Sequence, residues 1–221
     1  MRPGCGCFPD ALSQVAEIVD VELLPFGNAV YNSSLGGKLE CQHGDVECIG
    51  NSVLQCAMDE YPDQKTHLPF ASCFETYGPS FWGNYNDTAD PGHLMKYTRI
   101  CAWSHGMDYS RITSCVQDAD RSAKLQRQYY ERTKQTRGLF PSVFDLTWVS
   151  INGKQDGTNG AQLLKEVCDA YTGPPPKGCS NATTTVGHAA LTPAGEHKKL
   201  DVYAAGGAMS AARCTRAPTK E

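Results

Sequence analysis

Apolar residues recur at helical spacing near the start of the chain. Ala11, Leu12, Val15, Ala16 and Val19 predict a short helix over residues 8–19, and Pro9 with Asp10 suits its first turn. Alternation then takes over. Val19-Asp20-Val21-Glu22-Leu23-Leu24 reads as a strand over 19–26, ended by Pro25 and the turn-forming Gly27-Asn28. Much of 41–115 has poor periodicity, with helical segments expected over 45–58 and 93–105. Between them, 78–92 is rich in Gly, Asn, Asp and Pro and reads as loop. Residues 118–134 are polar, with Ala119, Ala123, Leu125 and Tyr129 or Tyr130 marking a surface helix. Residues 143–151 return to strand-type sequence, and Asn152-Gly153 after them is a hairpin signal. Leu163, Leu164, Val167, Cys168 and Tyr171 share one face of a last helix, stopped by Gly173-Pro174-Pro175-Pro176. No period stands out beyond that point, so 173–221 is expected to be an irregular tail.

Composition narrows the class. The chain has 221 residues, of which 40% are hydrophobic, enough to bury roughly 70% of its unfolded surface without covalent help. It nevertheless carries eleven cysteines, an odd number that points to an oxidising compartment, metal sites or redox chemistry. Twenty basic against 24 acidic side chains leave a net charge of -4, and no basic run tracks a phosphate backbone, so nucleic acid is not expected as a partner. No run of 18 apolar residues suggests a transmembrane segment. The start, Met1-Arg2-Pro3-Gly4-Cys5-Gly6-Cys7, has no signal-peptide pattern. Three glycosylation triplets, at Asn32, Asn86 and Asn181, favour a secretory origin and a start that is not the true one.

The densest chemistry is Cys41-Gln42-His43-Gly44-Asp45-Val46-Glu47-Cys48, followed by Asn51 and Cys56. A zinc site could be drawn from it, but the spacing fits no common structural site. His43 between acids could also be catalytic. The alternative is that the cysteines pin short helices through disulfides. This segment resembles the signature of the gamma-interferon-inducible lysosomal thiol reductase family. Leu24-Pro25-Phe26-Gly27-Asn28-Ala29 resembles a second element of that family just upstream, and Trp148-Val149-Ser150-Ile151-Asn152-Gly153 a third. The resemblance covers residues 3–172.

The resemblance implies an α/β, thioredoxin-like sheet with a disulfide-rich helical insertion over about 41–115, residues 1–172 forming the domain. That plan places a strand ahead of the first helix. None precedes it here, so the first strand is expected to be missing. It also implies reduction of disulfides in protein substrates, a small-thiol or dithiol reductant as partner, no cofactor, and an endosomal, lysosomal or secreted glycoprotein. The signature itself is implied to shape the domain.

Family chemistry uses a Cys-x-x-Cys at the start of the first helix. A thiolate there is stabilised by the helix amino terminus and attacks a substrate disulfide; a second thiol then releases the product. The matching stretch is Arg2-Pro3-Gly4-Cys5, which puts Cys5 on the resolving cysteine and Arg2 where the attacking one belongs. In another alignment Cys5 attacks and Cys7 resolves. Cys5 and Cys7 are therefore the candidate catalytic residues, without a metal. Thr147 stands where the family has a cis-proline before the tryptophan. A cis bond before a non-proline residue costs about 2.5–4 kcal/mol, so a trans bond is expected. Arg2 and Thr147 together support an alternative, a redox-inactive relative that binds polypeptides or has a structural role. Glu22, His93, His105 and Asp145 read as surface or packing residues, His188 and His197 lie in the irregular tail, and Asp118 reads as a helix cap.

Overall fold

The computed structural model describes residues 8–25, 29–32, 38–42, 44–77, 90–137, 148–156, 160–181 and 198–205. The first periodic segment forms α1 (Phe8–Ser13), which unwinds through turns at 14–18 into β1 (Val19–Leu24). A short hairpin of β2 (Val30–Asn32) and β3 (Lys38–Glu40) follows. Five helices come next: α2 (Asp45–Glu60), α3 (Gln64–Tyr77), α4 (Pro91–Ser104), α5 (Tyr109–Gln117) and α6 (Ala119–Arg137). The expected hairpin is β4 (Trp148–Ile151) with β5 (Lys154–Asp156), turned by Asn152 and Gly153 at φ 50° and 76°. Two successive positive φ values are what a tight hairpin turn needs, and Asn-Gly supplies them at little cost. The last helix is α7 (Gly160–Ala170), followed by a single 3-10 turn (Lys177–Asn181) and β6 (Leu200–Ala205).

Among the described residues the fold is mixed α/β, mostly helical, with a four-stranded sheet in the order β1-β6-β4-β5 beside the two-stranded β2-β3 sheet. The sheet corrects the expectation of an irregular tail. Residues 200–205 form an inner strand, parallel to β1 and antiparallel to β4. Their signal is short: Leu200 and Val202 turn into the core around Asp201, and the strand ends before Gly206-Gly207. Two further helices, α3 and α5, run through the poorly periodic stretch. Pro69 sits inside α3, removing one backbone donor and masking the helical pattern.

Two larger apolar cores form among the described residues, with a small cluster around Ala29 and Leu39 beside them. Ala11, Leu12, Val15, Val149, Ile151, Leu163, Val167, Leu200 and Val202 fill the space between the sheet, α1 and α7. Val53, Phe70, Phe74, Leu94, Ile112 and Leu125 fill the helical layer. Disulfides tie that layer: Cys56–Cys115 joins α2 to α5 and Cys73–Cys101 joins α3 to α4. Closing a separation of 59 residues removes unfolded-chain entropy worth about 4 kcal/mol in the loop-closure picture. Cys41–Cys48 and Cys168–Cys179 close shorter loops.

Gln64, the first residue of α3, joins the layers. Its amide oxygen accepts from the Val21 N–H at 2.9 Å, and its amide nitrogen donates to the Ala16 and Val19 carbonyls at 2.7 Å each. One side chain thus satisfies the outer edge of β1 as a neighbouring strand would. Gln64→Ala is expected to destabilise the protein by about 1–3 kcal/mol, because buried edge groups lose their partners. Urea denaturation measures this, and an unshifted midpoint would show that water replaces the side chain fully.

Candidate functional site

The register of the sheet defines one end of it. Leu24 at the end of β1 pairs with Ala205 at the end of β6, which pairs with Trp148 at the start of β4. At the opposite end the Leu200 N–H donates to the Ile18 carbonyl at 2.9 Å, so the chain leaves α1 beside the start of β6. α1 packs over the sheet through Ala11 and Leu12, and Val15 after it joins the same core. Three stretches singled out by sequence are next in the chain to described residues: Phe26-Gly27-Asn28 after Pro25, Thr147 before Trp148, and Cys5-Gly6-Cys7 before Phe8. Cys5, Cys7, Arg2, Thr147 and Phe26-Gly27-Asn28 themselves lie outside the described residues.

The cysteine signature sits elsewhere, where β3 meets α2, and its geometry is that of framework. Cys41 and Cys48 form one disulfide and Cys56 forms another with Cys115, so the thiolates a zinc site would need are consumed. Gly44 is the residue before α2, at φ 87° and ψ -168°, a region essentially restricted to glycine. Glu47, Asn51 and Gln55 follow at a spacing of four on one face of α2, all buried. The Asn51 side-chain nitrogen lies 3.8 Å from the Cys41 sulfur. The signature thus prescribes a turn, a disulfide and a polar stripe that enters the interior. A Cβ on Gly44 would meet nothing within 4 Å, so the cost of adding one is purely conformational. Gly44→Ala is expected to lower stability by about 1–3 kcal/mol. Thermal unfolding checks this, and an unchanged midpoint would mean that the backbone relaxes to another conformation.

The remaining polar candidates have structural duties. Glu22 on β1 accepts two hydrogen bonds from Arg132 of α6, at 2.7 and 2.8 Å. The Asp118 side chain accepts from the Arg121 N–H at 3.0 Å and caps α6, as expected. His93 is exposed, with its Nδ1 3.8 Å from Asp90. His105 follows the end of α4, and partial burial pulls its pKa below the usual histidine value. His43, Asp145, His188 and His197 lie outside the described residues.

Sequence reasoning passed over His67. It is buried, its Nδ1–H donates to the Tyr61 carbonyl at 2.9 Å, and its Nε2 has no partner among the described residues. Burial lowers its pKa, outweighing the Tyr61 carbonyl and Asp63, which act the other way. Since the folded pKa lies below the unfolded one, the neutral ring contributes stability above the ordinary histidine pKa, and this is lost as pH falls through the folded value. His67→Gln is expected to flatten that loss. Urea midpoints measured at neutral and mildly acidic pH should converge, and an unaltered difference would assign the acid sensitivity to other groups.

Comparison with known proteins bears on the whole chain. Residues 7–88 match the family described as gamma interferon inducible lysosomal thiol reductase. A protein of Arabidopsis thaliana called gamma-interferon-responsive lysosomal thiol protein is 32% identical over 193 residues, covering 82% of this chain and 72% of that one. Proteins called gamma-interferon-inducible lysosomal thiol reductase are 27% identical in both Carassius auratus and Mus musculus. The first alignment covers 80% of this chain and 67% of its relative, the second 75% and 60%. Among the described residues, no helix is long and apolar enough to cross a membrane.

Proposed function

Because the chain belongs to the gamma-interferon-inducible lysosomal thiol reductase family, we propose that it exchanges thiols with disulfides of protein substrates through Cys5 and Cys7. The observation that carries this reading is the 32% identity to a named lysosomal thiol protein over most of both chains. The unit responsible takes in residues 1–172 and, through its pairing, β6.

The reaction balances without a cofactor. A cysteine thiolate attacks one sulfur of a substrate disulfide, forming a mixed disulfide and expelling a substrate thiolate. A second cysteine thiolate attacks the mixed disulfide, so that the enzyme's pair is oxidised and the substrate leaves reduced. An external dithiol then reduces the pair. Arg2 replaces the attacking cysteine of the family motif, which leaves Cys5-Gly6-Cys7 to supply both thiols. A Cys-x-Cys ring is small, and a strained disulfide is a stronger oxidant, which disfavours its formation by a reductase. Weak turnover is therefore expected.

The triplets at Asn32, Asn86 and Asn181 and the four framework disulfides support a glycoprotein of the lysosomal, endosomal or secreted route. Arg2 favours a second reading, a redox-inactive relative that binds polypeptides.

Reduction of a denatured disulfide protein with dithiol recycling, at acidic and neutral pH, tests the proposal. Low turnover is expected, falling at least tenfold in Cys5→Ser and rising in Arg2→Cys. Turnover unchanged in Cys5→Ser would sink the assignment of that residue. No turnover with retained binding of the denatured substrate would establish the second reading.

A further inference from the structure

Three large apolar side chains stand exposed among the described residues, Val30, Ile100 and Trp103, and two of them share α4. Trp103 is 83% exposed. An indole buries roughly 150–250 Å² where it finds a partner, so one left in water is a costly surface residue.

The core fixes which way α4 faces. Leu94, Thr98, Cys101 and Ala102 are buried, at the spacing of one helix face. Cys101 is bonded to Cys73 of α3, which holds the helix against rolling about its axis. The opposite face carries Lys96, Arg99, Ile100 and Trp103, three and four residues apart and all exposed. An indole and an aliphatic side chain thus project beside an ammonium and a guanidinium.

The charge of this face is of one sign. Pro91–Ser104 contains no acidic residue, and among the described residues neither Lys96 nor Arg99 has a carboxylate partner. The acids that flank the helix are engaged as caps. Asp90 accepts from the Gly92 N–H at 2.7 Å, and Asp108 accepts from the Ser110 N–H at 2.8 Å. The whole chain has a net charge of -4, so this is a cationic face on an acidic protein. An anionic surface would repel the molecule at large and attract this face, which fixes the orientation of approach.

The size of the patch selects the partner. A stable protein interface buries about 800 Å² per partner, with its aromatic anchors ringed by packed side chains. Two apolar side chains on one helix face fall well short of that. A lipid surface asks less. An indole settles at headgroup level, and neighbouring cations meet anionic headgroups while their stems lie along the apolar boundary.

We infer that the face of α4 formed by Lys96, Arg99, Ile100 and Trp103 docks the protein on the surface of an anionic phospholipid bilayer, with Trp103 seated at the headgroup boundary. The helix lies on the membrane without entering it, since its other face belongs to the protein core. The inference goes beyond the function proposed above and uses none of the thiols assigned there.

Cosedimentation of the full chain with vesicles, at neutral pH and low ionic strength, tests it. Mixed phosphatidylcholine–phosphatidylserine vesicles should carry the protein down, and vesicles of phosphatidylcholine alone should not. Trp103→Ala should weaken binding about tenfold, and so should Lys96→Glu combined with Arg99→Glu. These side chains are exposed, so thermal midpoints should stay at the native value. Lys65→Glu combined with Lys124→Glu removes the same charge from exposed positions of α3 and α6, and should retain most of the binding. Absent binding, binding indifferent to phosphatidylserine, full binding by Trp103→Ala, or an equal loss in the Lys65 and Lys124 control would each overturn the inference. So would a dimer that Trp103→Ala dissociates, or a denatured protein held through Trp103 while vesicles stay free, because either result gives the face to a protein partner.

Discussion

Between β1 and β4 runs one strand whose backbone must bond on both sides, and it is drawn from residues 200–205. Buried N–H and C=O groups left without partners cost free energy comparable to a lost hydrogen bond. Removing β6 would orphan the inner edges of β1 and β4 together and uncover Val19, Val149 and Ile151. Other features of the sheet layer lean on this pairing. α1 packs on the core that β6 completes, α7 covers it through Leu163 and Val167, and the Asn152 turn closes onto Asp201. The helical layer is coupled to it through Gln64, through Arg132 on Glu22, and through Leu23, which touches both cores.

Much of this was legible in the sequence, for physical reasons that differ by element. α1, α7 and the first strand announce themselves because each buries one face, so its apolar period survives. The Asn152-Gly153 turn is legible because few other pairs accept two positive φ values. α3 was not, since Pro69 breaks its helical pattern in the sequence and the buried, polar His67 blurs its apolar face. β6 was missed because only Leu200, Asp201 and Val202 carry its alternation, and a parallel strand takes its meaning from a partner 181 residues away. The candidate thiols were legible only through resemblance. Nothing in the spacing of Cys5 and Cys7 alone distinguishes a redox pair from two loose thiols.

The longest sequence signature and the proposed chemistry are carried by different residues. Cys41, Gly44, Glu47, Cys48, Asn51 and Cys56 specify how α2 enters the helical layer. Their strictness reflects backbone conformation and burial: a glycine-only turn, and polar side chains that need internal partners. The sheet edge makes fewer demands on residue identity, because its geometry comes from strand register. A long motif can therefore certify the fold and yet say little about whether this chain turns over substrate.

The four disulfides among the described residues are not equally open to attack. Thiol–disulfide exchange requires a thiolate to reach a sulfur. Cys56 and Cys115 are at most 1% exposed, and Cys101 is fully buried beside a half-buried Cys73. Cys41 and Cys48 are both half-buried, and Cys168 is half-buried against a buried Cys179. Under the proposed function dithiols must not unpick the protein's own frame, and here the long-range clamp across α2 and α5 lies deepest. Reduction in the native state would begin at Cys41–Cys48, a loop of seven residues whose loss leaves the two long-range clamps of the helical layer in place.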